Sequence, residues 1–224
     1  MANGMKLSAC LAFGLLGGCQ SWSVRDIDSL PPTASLPPES EQGKVELRYF
    51  DNVTVSSIDE LKALGRYPDN PDEVTELARL EVLDNRGDQY GGFVRGFIVP
   101  PSDGSYRFFI SADDEAQFVF STTASSSDAQ VVASVPSYSS RNQFDKYSSQ
   151  TSPIFNLEAG KRYYFEVIHR EGYGGDHFSV AWEGPDITQS IVAGEYLYSY
   201  GESSAIYPGD ELSKEGYSLG YRVG

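Results

Sequence analysis

The stretch SYRFFISADDEAQFVFST, residues 105–122, consists of two runs of alternating apolar and polar residues with two adjacent aspartates between them. Apolar residues occupy every second position of both runs, at Tyr106, Phe108 and Ile110 and again at Ala116, Phe118 and Phe120. Because successive side chains of a β-strand point to opposite faces, this period of two predicts two strands. Asp113 and Asp114 then lie between the strands, and two interpretations stay open: a solvated turn or half of a metal site.

The same period recurs in the rest of the chain, in VRGFIVP (94–100), KRYYFEVIHRE (161–171) and FSVAWEG (178–184). Turn-forming residues separate these runs, and only a short segment near 58–64 looks helical. Since no long amphipathic helix is interleaved, the pattern predicts an all-β, antiparallel fold with long loops, either a sandwich or a barrel. The polar stretches 122–130 and 134–153 are expected to form loops, and loops of this length in a compact domain are often functional.

The composition bears on the class of partner. The 224 residues carry a formal net charge of −15. A surface this acidic repels phosphate backbones, so we predict that nucleic acid is not a partner. The charge suits a soluble exported protein or one that binds cations.

The beginning of the chain has the pattern of a secretion signal. One lysine, Lys6, precedes an apolar run over residues 7–16 that is too short to span a bilayer. The sequence Leu16-Gly17-Gly18-Cys19 resembles the lipobox of bacterial lipoprotein signals. That resemblance implies cleavage before Cys19 and lipidation of its thiol. Gln20, in place of Asp, implies passage to the outer membrane, with the leaflet left open.

The cysteine count agrees with a lipid anchor. Cys10 and Cys19 are the only cysteines, so removal of the signal and acylation of Cys19 would leave no free thiol for disulfides, zinc or nucleophilic catalysis. The acyl chains would hold the protein on a membrane, and a stretch rich in Pro and Ser follows as a spacer. We therefore divide the chain into a signal peptide (1–18), a lipidated tether (19–43), a domain (44–187) and a Tyr/Gly-rich tail (188–224).

Two long segments, 95–121 and 157–185, resemble the protective-antigen (PA-fourteen) domain. The shared positions are Arg95-Gly96, Pro101, Gly104-x-Tyr106-x-Phe108, Asp113-Asp114, Gly160-Lys161-x-Tyr163, Glu171-Gly172, Gly174-Gly175-Asp176 and Ala181-Trp182. The resemblance covers about residues 45–187 and implies a β-sandwich. Members of that family include adhesins and modules attached to glycosidases, and several bind carbohydrate through calcium.

The resemblance also implies a calcium site. In those lectins two adjacent aspartates are joined by a cis peptide and hold one Ca²⁺, which assigns Asp113 and Asp114 as ligands. Calcium takes about 6–8 oxygen ligands, so a second loop must contribute. Here that loop is EGYGGDHF (171–178), with Asp176 as the third carboxylate and Gly174 as a position whose backbone can turn a carbonyl inward.

Two residues of this loop depart from the family pattern. His177 stands where the family commonly has Asn, and an imidazole nitrogen is a poor ligand for a hard cation. We therefore expect His177 to face solvent or sugar, or to contribute only its backbone to the metal site. Tyr173 replaces a commoner Gly, and it is either an exposed loop tip or a ring that stacks on a sugar.

These observations predict a calcium-dependent carbohydrate-binding lipoprotein on the bacterial outer membrane that binds vicinal hydroxyls of a glycan and has no catalytic residues. The alternative is a structural or protein-interaction module of an envelope or polysaccharide assembly, with calcium only structural. A hydrolase is a more distant option. GYSLG (216–220) has the spacing of a nucleophile elbow, but no Asp, Glu or His follows it in this sequence.

Overall fold

The computed structural model describes residues 40–83 and 85–201. The predicted signal peptide, the lipidation site at Cys19, most of the predicted tether and residues 202–224 of the predicted tail lie outside these ranges. The described residues form one short α-helix, α1 (Ile58–Lys62), and the strands β1 (Val45–Phe50), β2 (Glu73–Leu77), β3 (Glu81–Val82), β4 (Tyr90–Ile98), β5 (Gly104–Asp113), β6 (Glu115–Phe120), β7 (Gln130–Val135), β8 (Phe155–Leu157), β9 (Tyr163–Glu171), β10 (His177–Gly184), β11 (Ile187–Ile191) and β12 (Leu197–Ser199).

The strands form two sheets. The larger one has the order β2-β1-β4-β9-β6-β7, with β12 also paired to β4, and the smaller one has the order β11-β10-β5-β8, with β3 also paired to β10. Every strand pair within the described ranges is antiparallel. The predicted all-β antiparallel fold is therefore confirmed, and of the two architectures that the strand pattern left open the chain adopts the sandwich.

Aromatic side chains fill the space between the sheets. The rings of Tyr106 and Trp182 stack with their centroids 5.3 Å apart, and those of Phe108 and Phe118 lie 5.1 Å apart. All four side chains are buried, as the period of two predicts for β5, β6 and β10. Complete burial of one large apolar side chain stabilises the fold by roughly 1.5–3 kcal/mol, so this cluster is a major source of stability.

A second, smaller core covers the other face of the larger sheet. It consists of Phe50, Val53, Ile58, Leu61, Phe93, Val119 and Ile168. Helix α1 supplies two of these residues and is capped by Ser57, whose side chain accepts a hydrogen bond from the Glu60 N–H (3.2 Å). A Cβ on Gly91 of β4 would collide with the buried side chain of Leu61, so the glycine lets the helix pack closely against the sheet. No helix in the described ranges is long and apolar enough to cross a membrane.

The sandwich extends beyond the predicted domain boundaries at 43 and 187. In the segment assigned to the tail, β11 pairs with β10 and β12 pairs with β4, and Val192 and Leu197 are buried. In the segment assigned to the tether, Gln42 forms a bridge with Tyr198. These pieces are too short for a period of two to be visible in the sequence, so only their long-range pairing reveals them.

Candidate metal and ligand site

The two adjacent aspartates lie where β5 ends and β6 begins, and the peptide bond between them is cis. Asp114 Oδ2 accepts a hydrogen bond from the Gly172 N–H (2.9 Å). Asp113 Oδ2 lies 3.4 Å from the position that a Cβ on Gly175 would take. Both carboxylates therefore face the same segment, the β9–β10 loop (residues 172–176).

Strand pairing explains why these two segments meet. In the smaller sheet β5 pairs with β10, with Asp113 opposite His177. In the larger sheet β6 pairs with β9, with Glu115 opposite Arg170. The chain thus passes from one sheet to the other twice at the same end of the sandwich, once through the aspartate pair and once through the β9–β10 loop.

The carboxylates at this end lie close to one another, with Glu171 and Asp176 buried and Asp113 and Asp114 half-buried. Burial raises the pKa of the Asp113 carboxyl, and the charge of Asp114 raises it further. Burial, followed by the charges of Asp114 and Asp113, raises the pKa of Glu171 to about 8. Glu171 Oε2 accepts a hydrogen bond from the Asp114 N–H (3.0 Å), whereas its Oε1 is buried without a partner among the described residues. A cation would relieve this accumulation of negative charge, and such perturbed groups often mark functional sites.

The sequence analysis did not single out Glu171 as a site residue. The sequence does carry a signal for it, because Glu171-Gly172 is one of the positions shared with the protective-antigen family and Glu171 begins the segment 171–178. The residue became a candidate only when the structure placed its carboxylate against the backbone of Asp114.

Asp176, the predicted third carboxylate, is buried and partly engaged by the backbone. Its Oδ2 accepts hydrogen bonds from the N–H groups of Arg86 (2.7 Å) and Gly87 (3.0 Å). Its Oδ1 is buried and lies without a hydrogen-bond donor at bonding geometry in the part of the chain that the structure describes. One oxygen of Asp176 thus supports the neighbouring backbone, and the other is buried. Burial, followed by the charge of this carboxylate, raises the pKa of Tyr90, so the Asp176 side chain also lies close to the Tyr90 hydroxyl.

The β3–β4 segment (residues 85–89) borders the β9–β10 loop and was also missed by the sequence analysis. Asn85 Oδ1 accepts the Asp176 N–H (2.9 Å), and Asp88 Oδ1 accepts the Gly174 N–H (3.1 Å). Gly174 has a φ of +118°, a conformation that favours glycine and keeps the loop in this turn. The β3–β4 segment therefore fixes the loop that faces the aspartates.

The two histidines are buried rather than exposed. His177 begins β10 instead of lying in the loop, and the residue is 6% exposed, so the expectation that it faces solvent is wrong, whereas a contribution through its backbone stays a prediction. Burial, followed by the charge of Arg141, lowers the pKa of His177, which favours the neutral ring. His169 Nε2 lies 2.8 Å from the main-chain oxygen of Asp113, and because a carbonyl only accepts, Nε2 carries the hydrogen. His169 thus holds the main chain at Asp113 in place through this hydrogen bond.

Tyr173 is the exposed aromatic residue of the β9–β10 loop. Its side chain is 72% exposed, and its hydroxyl accepts a hydrogen bond from the Gln89 side-chain amide (2.6 Å). This bond to the β3–β4 segment restrains a ring that otherwise faces solvent. The exposed position that the sequence analysis considered is confirmed, and the ring is accessible to a ligand.

The oxygen ligands that this site offers are of the kind that calcium prefers. Asp113, Asp114 and the unpartnered Oδ1 of Asp176 offer the carboxylate oxygens that a hard cation prefers. Two observations limit the arrangement. Arg170 Nη2 lies 3.6 Å from Asp114 Oδ2, and no set of three or more His, Asp or Glu side chains within residues 40–83 and 85–201 is already placed around one ion. The candidate metal site is therefore the aspartate pair with the facing loop, rather than a preformed group of three carboxylates.

Comparison with known proteins gives relatives with this fold. The chain is 31% identical over 189 residues to the N-acetyl-beta-glucosaminyl-glycoprotein 4-beta-N-acetylgalactosaminyltransferase 1 of Mus musculus, covering 79% of this chain and 18% of that relative. The chain thus spans less than a fifth of that enzyme.

Two solved structures have a similar fold at low sequence identity. The PA14 sugar-binding domain from RTX adhesin matches with a TM-score of 0.55 and 12% identity, over 71% of this chain and 100% of that chain. The A domain of epithelial adhesin 9 from Candida glabrata, in complex with Galb1-4GlcNAc, matches with a TM-score of 0.52 and 13% identity, over 75% of this chain and 98% of that chain. At these identities the likeness concerns the fold.

The family assignment rests on a direct sequence match. The profile of the PA14 domain matches residues 68–195, which is more than half of the chain. The matched range contains the aspartate pair, the β3–β4 segment and the β9–β10 loop. The resemblance inferred from the sequence is confirmed, and the chain belongs to the PA14 domain family.

Proposed function

We propose that this domain binds carbohydrate in a calcium-dependent manner, with Asp113 and Asp114 as the primary ligands of the ion. One observation carries the proposal: the carboxylates of two adjacent aspartates face a single loop, and that loop presents an exposed tyrosine. The names of the structural neighbours, a sugar-binding adhesin domain and an adhesin in complex with Galb1-4GlcNAc, support the class of ligand.

The residues have distinct roles in this proposal. When bound, calcium supplies open coordination positions that two neighbouring hydroxyls of a sugar can fill. Asp113 and Asp114 hold the site, and Gly174 and Asp176 belong to the loop that completes it. The β3–β4 segment keeps that loop in place through Asp88 and its neighbours. His177 contributes at most its backbone, since its ring is buried.

Tyr173 would contact the sugar directly. Its ring is largely exposed and restrained by Gln89, so stacking on a sugar ring costs little additional order. A shallow site of this kind binds a single sugar weakly. Many anchored copies on one surface would bind a polysaccharide far more strongly, because linked binding raises the effective concentration.

We further propose that the protein is a lipoprotein, anchored through Cys19 to the outer membrane of a bacterium. The support is the sequence before the domain, where an apolar run ends in Leu16-Gly17-Gly18-Cys19. We assign no catalytic residue. The mouse relative is named as a transferase, but the chain covers only 18% of it, and we propose no transferase activity for this domain.

A second candidate is a structural or protein-interaction module in which any calcium only stabilises the fold. Arg170 beside Asp114, together with the two backbone N–H groups on Asp176 Oδ2, favours it, because these contacts already neutralise part of the charge. Such a module would bind its partner whether or not a chelator is present.

Thermal unfolding with and without calcium tests the ion, and a glycan array with and without chelator tests the ligand. An ion that binds only the folded state at 100 times its Kd stabilises it by about 2.7 kcal/mol, so the wild type should melt at higher temperature with calcium. Asp114→Asn should lose most of this rise. Asp128→Asn, an exposed acid beyond the other end of β6, should keep it.

The array separates the two candidate functions. Binding to sugars with vicinal hydroxyls that chelator abolishes supports the lectin. Binding of a partner that survives chelator supports the interaction module, and the absence of any calcium effect on melting contradicts the metal site.

A further inference from the structure

The long loop between β7 and β8 (residues 136–154) packs along β5 and reaches the aspartate pair. Gln150 is completely buried, and its side-chain amide donates hydrogen bonds to the main-chain oxygens of Ile110 (2.8 Å) and Gln143 (2.6 Å). The Ser139 N–H donates to Ala112 O (2.6 Å). Buried polar groups that are paired in this way rigidify a loop, so this segment has a fixed position beside the site.

This loop places an aromatic ring and a cation next to Asp113. Tyr138 forms an antiparallel bridge with Asp113, and its side chain is 52% exposed. Lys146 Nζ lies 3.2 Å from the centroid of the Tyr138 ring and donates a hydrogen bond to the Tyr138 main-chain oxygen (2.7 Å). The ammonium group is thus held over an exposed ring rather than moving freely in solvent.

The ammonium group of Lys146 is not held in an ion pair within the described residues, and its charge acts on the Asp113 carboxyl from a distance. Lys44 and Lys161 form ion pairs with Glu76 and Glu158, whereas Lys146 forms no ion pair with any carboxylate of the described residues. The protein has a net charge of −15, so most of its surface repels anions. A cation fixed beside the ligand site creates a local exception to that repulsion.

We propose that Tyr138 and Lys146 form a second subsite that selects glycans bearing an anionic group, a carboxylate or a sulfate, on the sugar next to the one held at the aspartate pair. This inference rests on the proposed function of the aspartate pair. In this proposal the part of the Tyr138 ring that Lys146 leaves exposed packs against that neighbouring sugar, and Lys146 pairs with its charge. An uncharged sugar gains only the first contact, which is the basis of the selection.

The test compares one oligosaccharide with and without its charge. The probes are an oligomer of galacturonic acid and the same oligomer as its methyl ester, measured by calorimetry at one fixed calcium concentration. An exposed ion pair contributes up to about 1 kcal/mol, so the wild type should bind the acid about fivefold more tightly than the ester. This preference should fall as salt is added, since salt screens exposed charges.

Variants test whether Lys146 causes the preference for the charged oligomer. Lys146→Gln should bind acid and ester equally while keeping the calcium-dependent rise in melting temperature, and Lys146→Arg should keep the preference. Lys161→Gln is the matched control, because this exposed lysine lies before the start of β9, whereas the site lies at its end. A sulfated galactan oligomer, compared with its unsulfated form, distinguishes sulfate from carboxylate, and selection of either charged form supports the proposal.

The possible failures are distinguishable. The anionic subsite alone is overturned if the wild type binds acid and ester equally and also binds the sulfated and unsulfated oligomers equally. It is also overturned if Lys146→Gln keeps the preference unchanged. If no glycan binds to the calcium-loaded wild type in either charge state, the proposed function fails with it.

Discussion

Gly172 lies so close to the aspartate pair that a side chain there would displace a neighbouring group. A Cβ on this residue would stand 2.9 Å from Asp114 Oδ2 and 3.1 Å from Arg170 Nη1. The backbone of Gly172 is not in the left-handed region, so alanine meets no conformational penalty there. The effect of Gly172→Ala should therefore come from the displaced carboxylate and not from a strained backbone.

The size of the effect follows from one hydrogen bond. The new methyl group must push Asp114 Oδ2 away by a few tenths of an ångström, which stretches or breaks its bond from the Gly172 N–H, now 2.9 Å long. A hydrogen bond to a charged group contributes about 1.5–3 kcal/mol. If the carboxylate loses this support, calcium should bind about 10- to 150-fold more weakly.

Gly175→Ala is the matched control for this experiment. Its Cβ would lie 3.4 Å from Asp113 Oδ2, an ordinary contact, and its backbone is likewise outside the left-handed region. Calorimetric titration with calcium should show a large loss of affinity for Gly172→Ala and a change of about twofold or less for Gly175→Ala. Thermal unfolding of both variants in chelator shows whether the fold itself is intact.

The reasoning would be refuted by equal calcium affinities of the two variants, or by wild-type affinity in Gly172→Ala. If Gly172→Ala proves unstable in chelator, Asp114→Asn tests the same carboxylate without adding volume. Wild-type calcium binding by Asp114→Asn would then remove Asp114 from the site.

Three further predictions concern other parts of the chain. Gln150→Leu leaves the buried oxygens of Ile110 and Gln143 unpaired and should lower the free energy of unfolding by about 3 kcal/mol in chemical denaturation, whereas a loss below about 1 kcal/mol would mean that the β7–β8 loop is not anchored there. The pKa of Glu171 in the folded state, about 8, lies above its ordinary value of 4.5, so the wild type in chelator should lose stability as pH rises from 4.5 to 8. Glu171→Gln should flatten this pH dependence. If the free energy of unfolding changes with pH equally in both proteins, Glu171 is not the group responsible. Cys19→Ser should release the protein from membranes upon fractionation, and wild-type retention would exclude lipidation at this residue.

Much of the architecture follows from local pattern. The alternation of Tyr106, Phe108 and Ile110 predicts a strand with one buried face, and all three side chains are buried. The pattern succeeds here because β5 faces the interior between the sheets. It is less informative for β4, whose residues Phe93 and Val94 are both buried, since one face meets the second core and the other meets the first.

In the candidate site, too, the sequence predicted some features and only the structure revealed others. The cis aspartate pair and the exposed position of Tyr173 could be expected from the sequence and its family resemblance. The burial of His177 could not, because it depends on pairing with Asp113 across the smaller sheet. A residue at a strand boundary is assigned to loop or strand only by its partner.

The sequence by itself determined strands β4, β5, β6, β9 and β10, the antiparallel class and the pair of carboxylates, because these depend on neighbouring residues and on a local motif. Only the tertiary structure brought Asn85 to Asp176 and Asp88 to Gly174, residues separated by 91 and 86 positions. It also decided which polar groups lost water: Glu171 and Gln150 lie in runs whose composition does not mark them as buried. Hydrogen bonds between distant segments and the burial of polar groups are properties of packing, and the order of residues along the chain does not encode them in any short pattern.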